Sequence, residues 1–214
     1  MGALSIKICG IKDNAALDAA LSAGASHVGL VFIAKSPRHV SLDQAAALAR
    51  RAAGKARVVG LFLDAPLDQL EAAQRAVGLD VIQLHGRETP ALAAQVKTTS
   101  QLETWKAIGV RTRADLAAAQ AYAGAVDRVL YDAKPPEGAD LPGGTGLRID
   151  WRLLAGTNHL LPWILAGGLD PANVADAIAV TGADFIDVSS GVERERGIKD
   201  PARIAAFCAA ARGT

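Results

Sequence analysis

The sequence predicts an α/β protein, a (β/α)8 TIM barrel that occupies residues 1–214 as a single domain. Three observations predict it. Short apolar, β-branched runs recur along the chain, and each stops near Gly, Asp, Ser or Pro. Segments rich in Ala and Leu, with helical spacing, fill the intervals. The runs begin roughly two dozen residues apart, which suits the short helical crossovers that parallel strands require. A doubly wound open sheet would give similar local patterns and ranks second. The chain has no GxGxxG after its first run and no GxxxxGK followed by Ser or Thr.

The first strand is predicted over "SIKIC" (residues 5–9), followed by "DNAALDAALSAG" (13–24), whose last glycine suits a helix C-terminus. "HVGLVFI" (27–33) is the second strand and "LDQAAALARRAAG" (42–54) its helix. "RVVGLFL" (57–63), "DVIQLH" (80–85), "TWKAIGV" (104–110) and "DRVLYD" (127–132) carry the alternation to the sixth strand. A wider gap holds "KPPEGADLPGGTG" (134–146). "PWILAG" (162–167), the helix "PANVADAIAVTG" (171–182) and "DFIDVSS" (184–190) complete a βα pattern repeated eight times.

Side chains alternate along a strand, so parity sorts each run into two faces. Lys7 and Cys9 share one face of the first run, opposite Ile6 and Ile8. Gln83 and His85 oppose Ile82 and Leu84; Leu130 and Asp132 oppose Val129 and Tyr131; Asp187 opposes Ile186 and Val188. The apolar face packs against the helix layer. That turns Cys9, His85, Asp132 and Asp187 inward near the carboxyl ends of four strands, at the mouth where barrel enzymes keep their chemistry.

Half the residues are hydrophobic and the charges balance to a net of +1, as in a globular protein without a polyanionic partner, so nucleic acid is not expected. Cys9 and Cys208 cannot build a disulfide framework, and His27, His39, His85 and His159 show no metal-ligand spacing with them. No metal is expected, and a reducing cytoplasm fits. No run approaches the ~18 apolar residues that span a bilayer, and no apolar stretch preceded by positive charge marks the N-terminus.

Two loops point to a phosphorylated ligand. In "AGGLDPANV" (166–174), Gly167 and Gly168 let the backbone approach a ligand, Asp170 is placed to cap the next helix and Pro171 suits its first turn. "DVSSGVE" (187–193) brings Ser189, Ser190 and Gly191 into a second small-residue turn. Loops after strands seven and eight form the usual phosphate cradle of this fold.

Taken together, "KICGI" (7–11), "KSPRHVS" (35–41), "VIQLHG" (81–86), "YDAKPP" (131–136), "GGTG" (143–146), "LAGGLDPANV" (165–174) and "DVSSGVE" resemble the phosphoribosylanthranilate isomerase family of the tryptophan pathway, from residue 6 to about residue 200. The resemblance implies a (β/α)8 barrel that needs no cofactor and takes a small-molecule phosphoribosyl substrate. It implies conversion of N-(5-phosphoribosyl)anthranilate to 1-(2-carboxyphenylamino)-1-deoxyribulose 5-phosphate by an Amadori rearrangement. An acid protonates the furanose ring oxygen, the ring opens to a protonated Schiff base, and a base removes the proton on sugar carbon 2. By resemblance Cys9 is the base and Asp132 the acid.

A free thiol has a pKa of about 8.5 and a free aspartic acid about 3.9, so each is mostly in the wrong form at neutral pH. The mouth is expected to shift them. The cationic Schiff base would favour a thiolate, and partial desolvation, helped by Asp187, a protonated Asp132. Arg38, on a loop expected to be exposed, looks placed for the anthranilate carboxylate. Gly144, Thr145 and Gly146 look like a flap that adds amides to the phosphate cradle. The family often has an aromatic residue where this chain reads Ile149.

Plainer readings stand beside these. A lone free cysteine is commonly a small buried hydrophobe, and that reading holds for Cys208 in "RIAAFCAAARG" (203–213). Gln83 and His85 read as a hydrogen-bonded pair lining the barrel as well as substrate-binding residues. Lys7 reads as the partner of an inward carboxylate, Asp187 as a supporting site residue, and "ERERGIKD" (193–200) as a solvated charged loop. Two other functions compete: an indole-3-glycerol-phosphate synthase-like barrel, which expects a strand-end lysine and glutamates, and a non-catalytic phosphosugar-binding barrel. A monomer is expected rather than a homodimer.

Overall fold

The computed structural model describes residues 4–134 and 147–213. Eight parallel strands close into a barrel in chain order: β1 (Ser5–Cys9), β2 (His27–Val31), β3 (Arg57–Phe62), β4 (Val81–Leu84), β5 (Glu103–Val110), β6 (Arg128–Ala133), β7 (Trp163–Leu165) and β8 (Phe185–Val188). β8 pairs back onto β1, with Lys7 opposite Asp187. The helices are α1 (Asn14–Ser22), α2 (Leu42–Ala52), α3 (Leu67–Val77), α4 (Pro90–Ser100), α5 (Arg113–Ala119), α6 (Val174–Thr181) and α7 (Pro201–Arg212). Among the described residues no helix is long and apolar enough to cross a membrane.

Local chemistry sets most boundaries. Asp13 starts α1 by accepting from the Ala16 amide at 2.8 Å, Ser41 does the same for α2, and Asp200 with Pro201 opens α7. Gly78 and Gly182 close α3 and α6 in the left-handed region.

Three expectations are corrected. Between β6 and β7 the described residues carry a 3-10 turn, Trp151–Leu153, in place of an eighth α-helix. α6 begins at Val174, because Asp170 and Asn173 first organise a separate turn: Asp170 Oδ1 accepts from the Ala172 amide and Asn173 Oδ1 from the Asp170 amide. The "ERERGIKD" segment forms an antiparallel hairpin, β9 (Glu193–Glu195) with β10 (Ile198–Lys199), and both Glu193 and Lys199 are buried.

The core has two layers, as parity requires. Ile6, Ile8, Ile82, Leu84, Val129 and Ile186 face the helices. Inside the barrel, Val59, Val81, Trp105, Leu130, Ile164 and Phe185 form one cluster, and Cys9, Val31 and Leu61 a second. His27, at the start of β2, packs its ring 4.7 Å from Phe185 and 5.5 Å from Trp105.

This surrounding keeps His27 neutral: burial lowers its pKa to about 4, and the positive charges of Arg57 and Lys7 push the same way. The unfolded chain therefore binds a proton at His27 at higher pH than the folded one. Stability should be full above about pH 6.5 and fall as the pH drops towards 4, by roughly 1 to 3 kcal/mol. Urea titrations at several pH values check this, and His27→Gln should remove that part of the slope.

Candidate active site

The candidate site begins at the seam between β1 and β8. Lys7 is wholly buried, and its Nζ lies 2.9 Å from Asp187 Oδ1. Two residues on, the Cys9 thiol shares the face of Lys7 and feels the charges of both Lys7 and Asp187. β2 leaves room for both. A Cβ on Gly29 would come within 3.0 Å of Cys9 Sγ and 3.2 Å of Lys7 Cε.

Burial on its own would lower the pKa of Lys7, but the Asp187 carboxylate and the Cys9 sulfur together outweigh it and leave the ammonium favoured. For Cys9, burial pushes the thiol up and Asp187 adds to this, against the opposing pull of Lys7 and Lys199. The resting seam is thus ammonium, carboxylate and thiol. Within the closed barrel, burial is thus the largest influence on the thiol, and it favours the protonated form.

Across the mouth, Gln83 Nε2 donates to His85 Nδ1 at 3.0 Å. That bond leaves the His85 proton on Nε2, which faces Asp132 Oδ2 at 3.4 Å. Asp132 Oδ1 accepts from the Ala133 amide at 2.8 Å. Gln83 and His85 are therefore the hydrogen-bonded pair that parity suggests, and β4 and β6 bring them to Asp132.

Asp132 and Asp187 border one pocket with Gly167, Gly168, Ser189 and Ser190. Packing alone demands small residues there. Gly167 and Gly168 have φ of +83° and +71°, and added Cβ atoms would come 2.6 Å from Ala133 N and 2.6 Å from Leu147 O respectively. At Gly191 a Cβ would collide with Leu169 O. Asn173 secures the turn by donating to Gly168 O at 3.0 Å. Ile149 is buried against Gly167. Gly144, Thr145 and Gly146 lie outside the described residues.

Arg38 departs from expectation: it is 5% exposed, not exposed. Its stem crosses Gly10, where a Cβ would meet Cδ at 2.7 Å, and its Nε and Nη2 reach the two oxygens of Glu193 at 2.7 and 2.9 Å. Lys199 Nζ donates to Glu193 Oε1 at 2.8 Å and to Ser189 O at 2.9 Å, and Ser189 Oγ donates to Cys9 O at 3.2 Å. One chain of polar contacts thus ties the loop after β2, the hairpin and the Ser189–Gly191 turn to the end of β1. Glu193 and Lys199 are missed when "ERERGIKD" is read as solvated charge. The available signal was Gly197, a turn residue between Arg196 and the apolar Ile198.

The chain has well-matched relatives among known proteins. A sequence model of the family described as "N-(5'phosphoribosyl)anthranilate (PRA) isomerase" matches residues 6–210. The N-(5'-phosphoribosyl)anthranilate isomerase of Rhodospirillum centenum is 53% identical over 211 residues, covering 97% of this chain and 99% of the relative. A crystal structure of monomers generated from the dimeric Thermotoga maritima phosphoribosylanthranilate isomerase superposes with a TM-score of 0.85 at 31% identity, over 99% of this chain and 100% of the other. A phosphoribosyl anthranilate isomerase solved with reduced 1-(o-carboxyphenylamino)-1-deoxyribulose 5-phosphate gives a TM-score of 0.86 at 30% identity, with the same coverage.

The Glu193 network generates a stability prediction. Burial would raise the Glu193 pKa, but the Arg38 hydrogen bond, Lys199 and the Gly197 amide outweigh it and hold it at about 2. Its contribution is present above the ordinary glutamate value of about 4.3 and is lost as the pH falls through about 2. Glu193→Gln leaves Arg38 and Lys199 buried without their shared carboxylate and should cost roughly 3 kcal/mol or more at neutral pH. Thermal unfolding measures the loss, which should shrink as the pH drops through that window.

Proposed function

This chain belongs to the N-(5'-phosphoribosyl)anthranilate isomerase family, and from that premise we propose how its residues divide the reaction. It is an aldose–ketose isomerase that converts N-(5'-phosphoribosyl)anthranilate to 1-(2-carboxyphenylamino)-1-deoxyribulose 5-phosphate in tryptophan biosynthesis. Family membership sets aside the synthase and the non-catalytic barrel. Asp132 is the acid and Cys9 the base. The observation that carries the assignment is that Asp132 borders the pocket of Gly167, Gly168, Ser189 and Ser190, while Cys9 stands beside Asp187, which borders it too.

Asp132 gives its proton to the furanose ring oxygen as the bond from that oxygen to carbon 1 breaks. The nitrogen lone pair forms the Schiff-base cation. Cys9, as thiolate, takes the proton from carbon 2, and the electrons of that bond form the enolamine, which tautomerises to the ketone. The cation draws the thiol towards its basic form only when substrate is in place.

Amides of the Gly167–Gly168 and Ser189–Gly191 turns hold the phosphate, joined by Gly144, Thr145 and Gly146. Arg38 meets the anthranilate carboxylate. Its position across Gly10, next to Cys9, supports this role. Gln83, His85 and Asp187 complete the substrate-facing wall. The base must be a free thiol, which supports a reducing cytoplasm. One domain, residues 1–214, carries the whole site.

Following the fluorescence of the anthranilate substrate tests the pair. Cys9→Ser and Asp132→Asn should each lower turnover at least ~10²-fold with product affinity nearly unchanged. Near-normal turnover in either variant would remove that residue from its role. One chain supplies every assigned residue, which supports a monomer. Sedimentation should give the mass of a single 22.0 kDa chain, and a dimer mass would refute that reading.

A further inference from the structure

A lysine wholly removed from water inside a barrel calls for an explanation other than stability. Desolvating an ion pair consumes most of what the pair returns, and apolar replacements of similar volume are often neutral or better. Lys7 also does more than meet Asp187. Its stem runs past the bare Cα of Gly29, against which the Cys9 sulfur also packs, so the one missing side chain makes room for both.

Charge arithmetic shows the consequence. Ammonium and carboxylate cancel, so removing the Cys9 proton leaves the seam with one net negative charge. Without Lys7 it would hold two, both out of water.

We propose that Lys7 is the positioning residue of the base: its ammonium, held by Asp187, compensates the Cys9 thiolate and makes that form reachable inside the barrel. The proposal rests on the reading of Cys9 as the base. The charged groups around the sulfur are Lys7 on its own strand, Asp187 on β8 and Lys199 on β10. Glu193 and Arg38 stand behind Lys199, and His85 and Asp132 face the mouth from β4 and β6. Lys199 is already engaged by Glu193 and the Ser189 carbonyl, whereas Lys7 shares the strand face of Cys9 and packs with its sulfur against Gly29.

The experiment measures Cys9 alkylation by iodoacetamide across pH on the full chain, with peptide mass spectrometry separating Cys9 from the buried Cys208. Lys7→Met is close in length and uncharged. It should raise the midpoint for Cys9 by roughly 1 to 3 pH units, slowing alkylation at neutral pH at least ~10-fold. Asp187→Asn should move the midpoint down and speed the reaction, since Lys7 then faces the sulfur alone. A structural role predicts the same sign for both variants, because a loosened barrel exposes Cys9 either way.

Equal signs, or an unmoved midpoint in Lys7→Met, overturn the proposal. Should Lys7→Met fail to fold, Lys7→Gln takes its place: a higher midpoint supports the assignment, and an unchanged or lower one refutes it. The pH profile of turnover separates the two readings. If the alkylation midpoint moves and the turnover limb does not, Lys7 governs the thiol and Cys9 is not the base.

Discussion

The pairing of β1 with β8 is the constraint on which the rest of the molecule depends. It joins residues 180 positions apart, through Lys7 and Asp187 inside the barrel and through Ser189 and the Cys9 carbonyl at its rim. Closure removes both sheet edges and converts eight separate strand ends into one mouth. Register matters as much as closure. A slip of one residue would turn Ile6 and Ile8 into the barrel and send Lys7 and Cys9 towards the helices.

The two ends of the barrel interior are built on different physics. Towards the strand starts the filling is aromatic and aliphatic, with Trp105, Phe185 and a neutral His27 in contact. Towards the mouth the buried groups are ionic, Lys7 with Asp187 inside and Arg38 and Lys199 with Glu193 at the rim, while on the helix-facing side of β5 Lys106 pairs with Glu88. The second and third clusters each fasten loops. Glu88 accepts from the amides of Asp64 and Gly86, and Lys106 donates to Gly86 O, so the loops after β3 and β4 are pinned beside His85. Ion pairs of this kind add little net stability. Their placement at the reactive end fits an environment in which charges develop and move during reaction.

The glycine turns answer two demands with one residue type. At Gly167, Gly168 and Gly191 a side chain would collide with neighbouring backbone, so the loops after β6, β7 and β8 can stack only without one. Leaving out the side chain also bares amide groups, which is what an anion needs. Packing and binding cannot be separated by mutation at these positions. The acid and base are better probes, since Cys9→Ser and Asp132→Asn alter chemistry with little change in volume.

Much of the fold and half of the site are legible in the sequence because they follow from local rules. Strand alternation turned Lys7, Cys9, Gln83, His85, Asp132 and Asp187 to one side of their strands, and turn chemistry marked the glycine loops. The same rules placed Cys208 in the core, where it lies. Local rules stop at pairing. Arg38 and Glu193 are 155 residues apart, and nothing in "KSPRHVS" or "ERERGIKD" states that the two segments meet, so both were read as solvated. The direction of the Cys9 shift was hidden for a related reason: a pKa depends on how much water closure removes and which charges it brings near. The sequence by itself determined the periodicity, the parity and the residue types at the strand ends. Only the closed barrel decided which charges are buried together, because desolvation and ion pairing belong to the space between segments.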